Sequence, residues 1–146
     1  MKKTSSLLFF VFLLINVLSR AQSPDQIEGN WLTASKKAFV KIYKDGNVYN
    51  GKITWLKAPL DSSGRPKVDK HNPDRTQRGM PLLGLNLLKG FVFKNNQWEN
   101  GTIYDPENGK TYSCRIRYRN GMLDLRGYIG ISLIGRTETW YKAEIK

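Results

Sequence analysis

The segment I-Y-D-P-E-N-G-K-T-Y-S-C, in the second half of the chain, concentrates groups that are able to bind a cation or to shape a turn. Asp105, Glu107 and Asn108 supply oxygen atoms of the kind that calcium prefers, but their spacing matches no known calcium loop. Asp105 can instead accept backbone N–H bonds at the start of a turn. Pro106 presets φ at the next position, and Gly109 supplies the positive φ that returns the chain to a strand. We interpret the segment as a structural turn.

Cys114 is the only cysteine of the chain, so an internal disulfide is excluded. Tyr112, Ile116 and Tyr118 alternate with serine and arginine around it. This period of two is typical of a half-buried strand and predicts a buried thiol that behaves as a small apolar residue. The only histidine, His71, gives the thiol no evident catalytic partner.

Motifs of known enzymes are absent from the sequence. It contains no Ser-His-Asp set, no metal-ligand cluster, no phosphate-binding loop and no nucleotide fingerprint. His71 lies between Asp69 and Asp74, but a lone histidine in a polar loop is more often a surface residue than a zinc ligand. A carboxylate pair that hydrolyses a glycan stays open as a distant alternative, because the chain has 12 acidic residues. We expect no enzyme, no cofactor and no metal.

Arg126 and Tyr128 are two positions apart in a predicted strand and therefore share one of its faces. The order Arg-x-Tyr on a late strand is similar to the carboxylate clamp of intracellular fatty-acid-binding proteins. If the pair points inward, a guanidinium and a phenol would hold the anionic head of a ligand. The alternating positions are more apolar and consist of Leu123, Leu125, Gly127 and Ile129. These have the better claim to the interior, so we favour an outward pair that belongs to the surface.

Residues 58–80 form a long connection between predicted strands. Its basic side chains outnumber its acidic ones and include Arg75 and Arg78. Two interpretations stay open. The segment is either a basic lid that gathers an anionic ligand at the mouth of a barrel, or a solvated insertion without a binding role.

Period-two alternation recurs along the chain and places these groups on strands. Signals for tight turns separate several of the alternating segments, at Asp45-Gly46-Asn47, Asn95-Asn96 and Asn120-Gly121. With the segment around Trp31, the pattern predicts about eight short strands and no helix of comparable length. Residues 82–89 fit either a short helix or a further strand. We predict an all-β, antiparallel up-and-down barrel, with a two-sheet sandwich as the competing arrangement.

Residues 1–21 have the features of a secretory signal peptide. Two lysines precede an apolar run at residues 7–18, and small residues flank Arg20 at the end of the segment. The apolar run is too short to span a bilayer, and no later stretch is longer. We expect an exported protein, periplasmic or extracellular, whose residues 22–146 form one barrel domain.

The chain is strongly basic, with 24 Lys and Arg against 12 Asp and Glu, which gives a formal charge of +12. Loss of a signal peptide would remove three basic residues and no acidic one, leaving +9. Such a charge favours anionic partners such as lipid head groups, envelope polymers or fatty carboxylates, and export argues against nucleic acid. A solvated basic surface without a specific partner is the alternative. The oligomeric state is not indicated by the sequence.

Two long motifs carry a resemblance to a known family. They are G-T-I-Y-D-P-E-N-G-K-T-Y, which begins at Gly101, and R-G-Y-I-G-I-S-L-I-G-R-T-E-T-W, which begins at Arg126. With shorter motifs such as Y-N-G-K-I-T-W, they resemble the bacterial family known as domain of unknown function 2147, over nearly the whole chain after the signal peptide. The resemblance implies an exported bacterial protein with a small lipocalin-like β-barrel. It implies no catalytic residues, because the family has none assigned.

Gly29-Asn30-Trp31 is similar to the Gly-x-Trp motif with which lipocalin-like barrels often begin. In such barrels the indole closes one end and stacks under a cation from the last strand. Arg136 is the expected cation here, and a guanidinium over the indole would stabilise the fold by about 0.5–2 kcal/mol. The alternative is that Trp31 is an ordinary core residue, and both interpretations make it structural.

Three classes of function stay open. The first is a non-catalytic protein that binds a small amphipathic or anionic, lipid-like ligand. Its candidate ligand-binding residues are Arg126, Tyr128, Arg75 and Arg78. The second is a structural or interaction protein that docks its basic surface on the cell envelope. A hydrolase without recognisable motifs is the most distant of the three.

Overall fold

The structure, a computed structural model, describes residues 21–131 and 134–144. The predicted signal peptide lies outside the described residues except for Ala21. Within the described part, the strands are β1 (Gly29–Leu32), β2 (Ala38–Asp45), β3 (Val48–Leu56), β4 (Asn86–Lys94), β5 (Gln97–Asp105), β6 (Lys110–Arg119), β7 (Met122–Tyr128) and β8 (Gly135–Lys142). Two 3-10 helices cover Pro24–Ile27 and Arg75–Gln77. Among the described residues, no helix has the length and apolar character needed to cross a membrane.

The eight strands described close into an antiparallel barrel, in which each strand pairs with the next and β8 pairs with β1. The ring is closed where Trp31 pairs with Lys142 and Leu32 pairs with Tyr141. The predicted up-and-down barrel is therefore confirmed, and the two-sheet sandwich is wrong. Residues 82–89, for which the sequence allows a helix or a strand, enter β4 at Asn86.

The two ends of the barrel are built differently. At one end, called the turn end here, tight turns join β2 to β3, β4 to β5 and β6 to β7. The asparagines and glycines of these turns adopt positive φ, for example 53° at Asn95, 60° at Asn96 and 78° at Gly121. At the other end, called the loop end, the connections cover residues 33–37, 57–85, 106–109 and 129–134.

Large apolar side chains fill the interior toward the turn end. Trp31 and Trp98 are fully buried, and the 3-10 helix Pro24–Ile27 lies over them. The indole nitrogens donate hydrogen bonds to carbonyls of that helix, at 2.8 Å from Trp31 and 3.0 Å from Trp98. Gly101 leaves the space that the ring of Phe91 occupies, because a Cβ there would overlap the ring. This end of the barrel is therefore plugged by packed side chains.

Trp31 lies under a cation, as expected, but the cation is Lys142. Lys142 Nζ is 4.5 Å from the centre of the indole and donates a hydrogen bond to Glu28 O at 2.8 Å. Burial lowers the pKa of Lys142. Gly29 makes room for this side chain, because a Cβ there would lie 2.7 Å from Nζ. The prediction of Arg136 is wrong, because it lies six residues earlier on β8, about 20 Å away at the loop end.

The connection between β5 and β6 is a turn held by its own backbone. Asp105 Oδ1 accepts a hydrogen bond from Glu107 N at 2.9 Å, and Asp105 O accepts one from Gly109 N at 2.8 Å. Asn108 Oδ1 accepts from the backbone N–H two positions later, at 2.9 Å. Gly109 has a φ of 71°, and the carbonyl of His71 occupies the place where a Cβ would stand. In the described part of the chain, no group of three His, Cys, Asp or Glu residues is arranged to hold a metal.

Residues 58–80 pack against the outer face of β5 and the turn that follows it. Asp69 is fully buried and accepts hydrogen bonds from the Tyr104 hydroxyl at 2.8 Å and the Asn72 amide at 2.7 Å. Burial and the hydrogen bond to Asp69 raise the pKa of Tyr104 to about 12. The segment is therefore anchored to the barrel wall by a buried carboxylate.

Candidate functional site

The inner face of β8 changes from apolar to charged toward the loop end. Trp140 is 2% exposed, and Glu138 and Arg136 follow at the alternating positions. Their partners in register on β7 also face the interior, with Leu125 opposite Glu138 and Gly127 opposite Arg136. The last strand therefore places a charged pair at the loop end of its inner face.

Arg136 and Glu138 form an ion pair, with 2.7 Å between Nη2 and Oε1. The Arg136 side chain is 83% exposed and that of Glu138 is 35% exposed. The carboxylate therefore lies within the mouth of the barrel, while the guanidinium extends toward solvent. An ion pair this exposed contributes at most about 1 kcal/mol to stability. The guanidinium can thus exchange Glu138 for an anionic group of a ligand at little cost.

The charge of Glu138 acts inside the barrel, at Cys114. Cys114 is 1% exposed, and burial, with a smaller contribution from the Glu138 charge, raises the pKa of its thiol to about 12. The register agrees with this, because Leu125 lies between Glu138 on β8 and Ile116 on β6 on the inner face. The thiol is buried, as its alternating neighbours predict, and its low reactivity stays a prediction.

At the loop end, the inner faces of β6 and β7 are less buried than the opposite wall. The inward-facing residues Tyr112 and Gly127 are half-buried there. On the opposite wall, by contrast, Ala38 is 8% exposed and Ile53 is 3% exposed. The Tyr112 hydroxyl accepts a hydrogen bond from the Asn108 amide at 3.1 Å, which fixes the ring at the rim. An aromatic ring and the charged pair of β8 thus line the same opening.

A second ion pair narrows this entrance. Lys37 Nζ and Glu107 Oε1 are 3.5 Å apart, although they belong to the β1–β2 connection and the β5–β6 turn. These connections lie on opposite sides of the eight-stranded ring, so the pair spans the mouth. Both side chains are well exposed, at 69% and 78%, and such a pair opens easily.

Among the described residues, one buried side-chain nitrogen or oxygen has no hydrogen-bond partner, and it is Nε1 of Trp140. Leaving a buried donor unpaired costs about 1–3 kcal/mol, so such a group calls for an acceptor. Trp140 shares the inner face of β8 with Glu138 and Arg136. A ligand or water oxygen in the interior would satisfy this donor.

Arg126 and Tyr128 lie on the outer face of β7, and the inward clamp is therefore wrong. The alternating position Leu125 is 2% exposed and faces the interior. Arg126 Nη1 donates a hydrogen bond to Thr137 Oγ1 at 3.1 Å on the outside of the neighbouring strand. Ile129, expected to face inward, follows the last residue of β7 and is 69% exposed, so that expectation is also wrong.

Arg75 and Arg78 are both exposed in the 58–80 segment. Arg78 Nε donates a hydrogen bond to Asn72 O at 2.8 Å, so this arginine helps to hold the segment itself. The Asp69 anchor of the segment lies on the outside of the barrel wall. The structure does not place either arginine in the interior, and a role in ligand capture stays a prediction.

A surface pocket of about 720 Å³ lies at the turn end, between the N-terminal segment and the β6–β7 turn. Its charged groups are already paired. Asp25 accepts hydrogen bonds from Tyr49 and Lys44, and Arg119 is bound to Asp124 at 2.7 Å. The pocket therefore offers less to a charged ligand than the loop end does.

Sequence reasoning missed the inward position of Arg136 and Glu138. The signal was present in the alternation of R-T-E-T-W, because counting back from a buried Trp140 places both residues on its face. The Gly-x-Trp motif instead predicted that Arg136 stacks on Trp31, which gives this arginine a structural role.

A family model described as "Uncharacterized protein conserved in bacteria (DUF2147)" matches residues 29–142. Among solved structures, the chain is similar to protein HP1028 from Helicobacter pylori, which is described as belonging to the lipocalin family. The two share 22% sequence identity and a TM-score of 0.67, over 80% of this chain and 82% of the other. At this identity the likeness concerns the fold. No curated protein matches the chain.

Proposed function

Because the chain belongs to the bacterial family DUF2147 and its barrel is lipocalin-like, we propose that it binds a small amphipathic molecule with an anionic group at the loop end. The observation that carries the proposal is the ion pair of Arg136 and Glu138, which lies on the inner face of β8 beside an apolar buried core. A barrel of about eight strands is just wide enough for side chains or one small ligand.

The anionic group of the ligand would replace Glu138 as the partner of Arg136. A guanidinium presents parallel N–H donors that match a carboxylate or a phosphate, and these charge-assisted bonds are stronger than neutral ones. Glu138 keeps access to water after the exchange, because its side chain is 35% exposed. The basic surface of the chain would favour the approach of an anion.

The apolar part of the ligand would pack in the outer half of the barrel, against Tyr112 and Ile103. Both are only partly buried, whereas deeper residues such as Cys114 and Leu125 are at most 2% exposed and leave no free depth. Ligands with a short or bent apolar group fit this shallow site better than a fully extended long chain.

Calorimetric titration of the purified chain lacking residues 1–21 tests the proposal, with a short-chain lysophosphatidylglycerol and a medium-chain fatty acid as probes below their micelle concentrations. We expect Arg136→Gln to weaken binding about tenfold or more, since a hydrogen bond to a charged group contributes about 1.5–3 kcal/mol. Arg126→Gln is the matched control, because Arg126 lies on the outer face of the neighbouring strand, and its effect should stay within about twofold. Equal losses in the two variants, or no binding of either probe, would contradict the proposal.

We further propose that the protein works outside the cytoplasm, since residues 1–21 carry a charged start, an apolar run and small residues at the end. Fractionation of bacteria that express the full chain would place the processed form in the periplasm or the medium, with Gln22 as its first residue. Leu13→Arg should leave an unprocessed chain in the cytoplasm, because it breaks the apolar run. Retention of the unaltered chain in the cytoplasm would count against this location. Export of an unprocessed chain would count only against cleavage before Gln22.

A further inference from the structure

We propose that the β7–β8 connection docks the loop end of the barrel on the surface of an anionic lipid bilayer. Three isoleucines of this connection, Ile129, Ile131 and Ile134, are 69%, 60% and 72% exposed. Single exposed apolar residues are ordinary on a protein surface. Three large aliphatic side chains, all well exposed and within six consecutive positions of the sequence, are a concentration of apolar groups of the kind that marks a contact site.

The charges around this patch complement anionic lipids. The four loop-end connections carry eight Lys and Arg against four Asp and Glu, and one of the acids, Asp69, is buried and hydrogen-bonded. The connections of the opposite end carry no basic residue, because the tight turns contain Gly and Asn, and residues 21–28 carry two acids and no base. Each basic residue near an anionic bilayer adds to the electrostatic attraction between the protein and the lipid. The connections of the loop end are therefore more basic than those of the turn end, and the loop end would face an anionic surface.

The chemistry of the connection favours lipid over a protein partner. Protein interfaces concentrate their binding energy in tyrosine, tryptophan and arginine anchors that fill pockets. The described residues of the connection offer glycine and exposed isoleucine instead. Aliphatic side chains beside basic residues suit the boundary between head groups and acyl chains.

Docking in this orientation places the mouth of the barrel at the level of the lipid head groups. Arg136 follows the connection directly and is 83% exposed, so it would meet the same surface. The inference does not depend on a ligand inside the barrel. A negative result in vesicle binding would therefore leave the proposed ligand site intact. A negative ligand titration without vesicles would leave the inference intact.

Flotation of the chain lacking residues 1–21 with lipid vesicles tests the inference. The vesicles contain either phosphatidylcholine alone or phosphatidylcholine with about 30% phosphatidylglycerol. We expect binding to the anionic vesicles at least about tenfold tighter than to the neutral ones. The triple variant Ile129→Ser, Ile131→Ser and Ile134→Ser should lose about a hundredfold in affinity, because binding scales with the apolar area inserted.

The control is the double variant Val92→Thr and Tyr141→Thr. These residues are 38% and 42% exposed but lie on strands toward the turn end, so their replacement should change vesicle binding by less than about twofold. Equal binding of the triple variant and the unaltered chain would overturn the inference and leave adsorption by charge alone. Absence of binding to anionic vesicles would overturn it as well.

A second measurement uses a single variant, so that the inference stays testable if the triple variant does not fold. Ile131→Cys carries an environment-sensitive dye at one position of the connection, and the buried Cys114 should not react. Vesicle binding should shift the dye emission to shorter wavelength, as expected for insertion below the head groups. A bound protein whose dye emission stays unchanged would show that the connection does not enter the bilayer.

Discussion

The turn end and the loop end of the barrel use the same strands for different purposes. At the turn end, the indole nitrogens of Trp31 and Trp98 are satisfied by carbonyls of the N-terminal helix, and Lys142 covers Trp31. At the loop end, the ion pairs are exposed and the rim carries isoleucines. The turn end thus pairs the indole nitrogens of Trp31 and Trp98 and the ammonium of Lys142 with carbonyls, while the loop end presents polar and apolar groups to the surroundings.

The strand β8 contains both behaviours within eight residues. Lys142 is held against an indole at the turn end, and Arg136 is held only by an exposed carboxylate at the loop end. Stability and binding are therefore expected to separate along the axis of the barrel. Substitutions near the turn end should change the free energy of unfolding, and those near the loop end should change binding.

The largest effect is expected at Trp31. Trp31→Ala removes a fully buried ring, a hydrogen bond and the partner of Lys142, and should lower the free energy of unfolding by about 3–5 kcal/mol. Trp55→Ala is the matched control, because Trp55 is 41% exposed. Urea unfolding of both variants measures the difference. A loss below about 1 kcal/mol for Trp31→Ala would mean that the turn end is not the stabilising end.

Tyr104 tests whether one part of the loop end is also built for stability. Tyr104→Phe leaves the buried Asp69 without its hydroxyl donor and should cost about 1.5–3 kcal/mol at neutral pH. The pKa of Tyr104 is raised from 10.0 to about 12 in the fold, so its contribution is complete below pH 10 and is lost as the pH rises through 12. The stability gap between the unaltered chain and the variant should therefore narrow between pH 10 and 12. A gap that stays constant over this range would show that the hydroxyl does not hold the 58–80 segment.

Lys142 and Arg136 allow the two ends of one strand to be compared directly. Lys142→Met keeps the apolar stem but removes the cation over Trp31, and should cost about 0.5–2 kcal/mol. Arg136→Met should change the free energy of unfolding by less than about 0.5 kcal/mol, because its ion pair is exposed. Thermal unfolding at equal ionic strength compares them. The opposite order of effects would reverse the assignment of the two ends.

The smallest effect is expected for the exposed arginines of the 58–80 segment. Arg75→Ser with Arg78→Ser should slow the association of an anionic ligand by about two- to fivefold and leave its dissociation nearly unchanged, because such charges act at long range. The difference should vanish at high salt, where screening acts within about 3 Å at 1 M. Stopped-flow measurements at two salt concentrations would show this. Faster dissociation as the main effect would instead make the arginines direct contacts.

Local patterns predicted most of the fold. The alternation around Cys114 gave the inner face of β6, and the asparagine and glycine pairs gave the tight turns, because both depend on neighbouring residues. The number of residues between two positions of a strand also gives the distance between them. Arg136 is too far from Trp31 to cover it, while Lys142 is paired with it.

Contacts between distant segments were beyond such reasoning. The hydrogen bond from Tyr104 to Asp69 joins an outward strand position to a loop 35 residues away, and no periodicity encodes which loop packs there. The ion pair between Lys37 and Glu107 likewise depends on the closure of the ring. The candidate site combines both kinds of information, since alternation orients Arg136 and tertiary packing decides which side of the mouth is open.

Two-dimensional ¹⁵N–¹H spectroscopy of the indole N–H groups tests the claim that the loop end binds the ligand most directly. The indoles of Trp31 and Trp98 are hydrogen-bonded at the turn end, and that of Trp140 lies unpaired on the inner face of β8. On addition of short-chain lysophosphatidylglycerol, the account predicts that the backbone signals of Gly127 and Glu138 move most and that the indole signal of Trp140, the next inward residue of β8, moves less. The other two indole signals should stay in place. Shifts confined to Trp31 and Trp98 would contradict it.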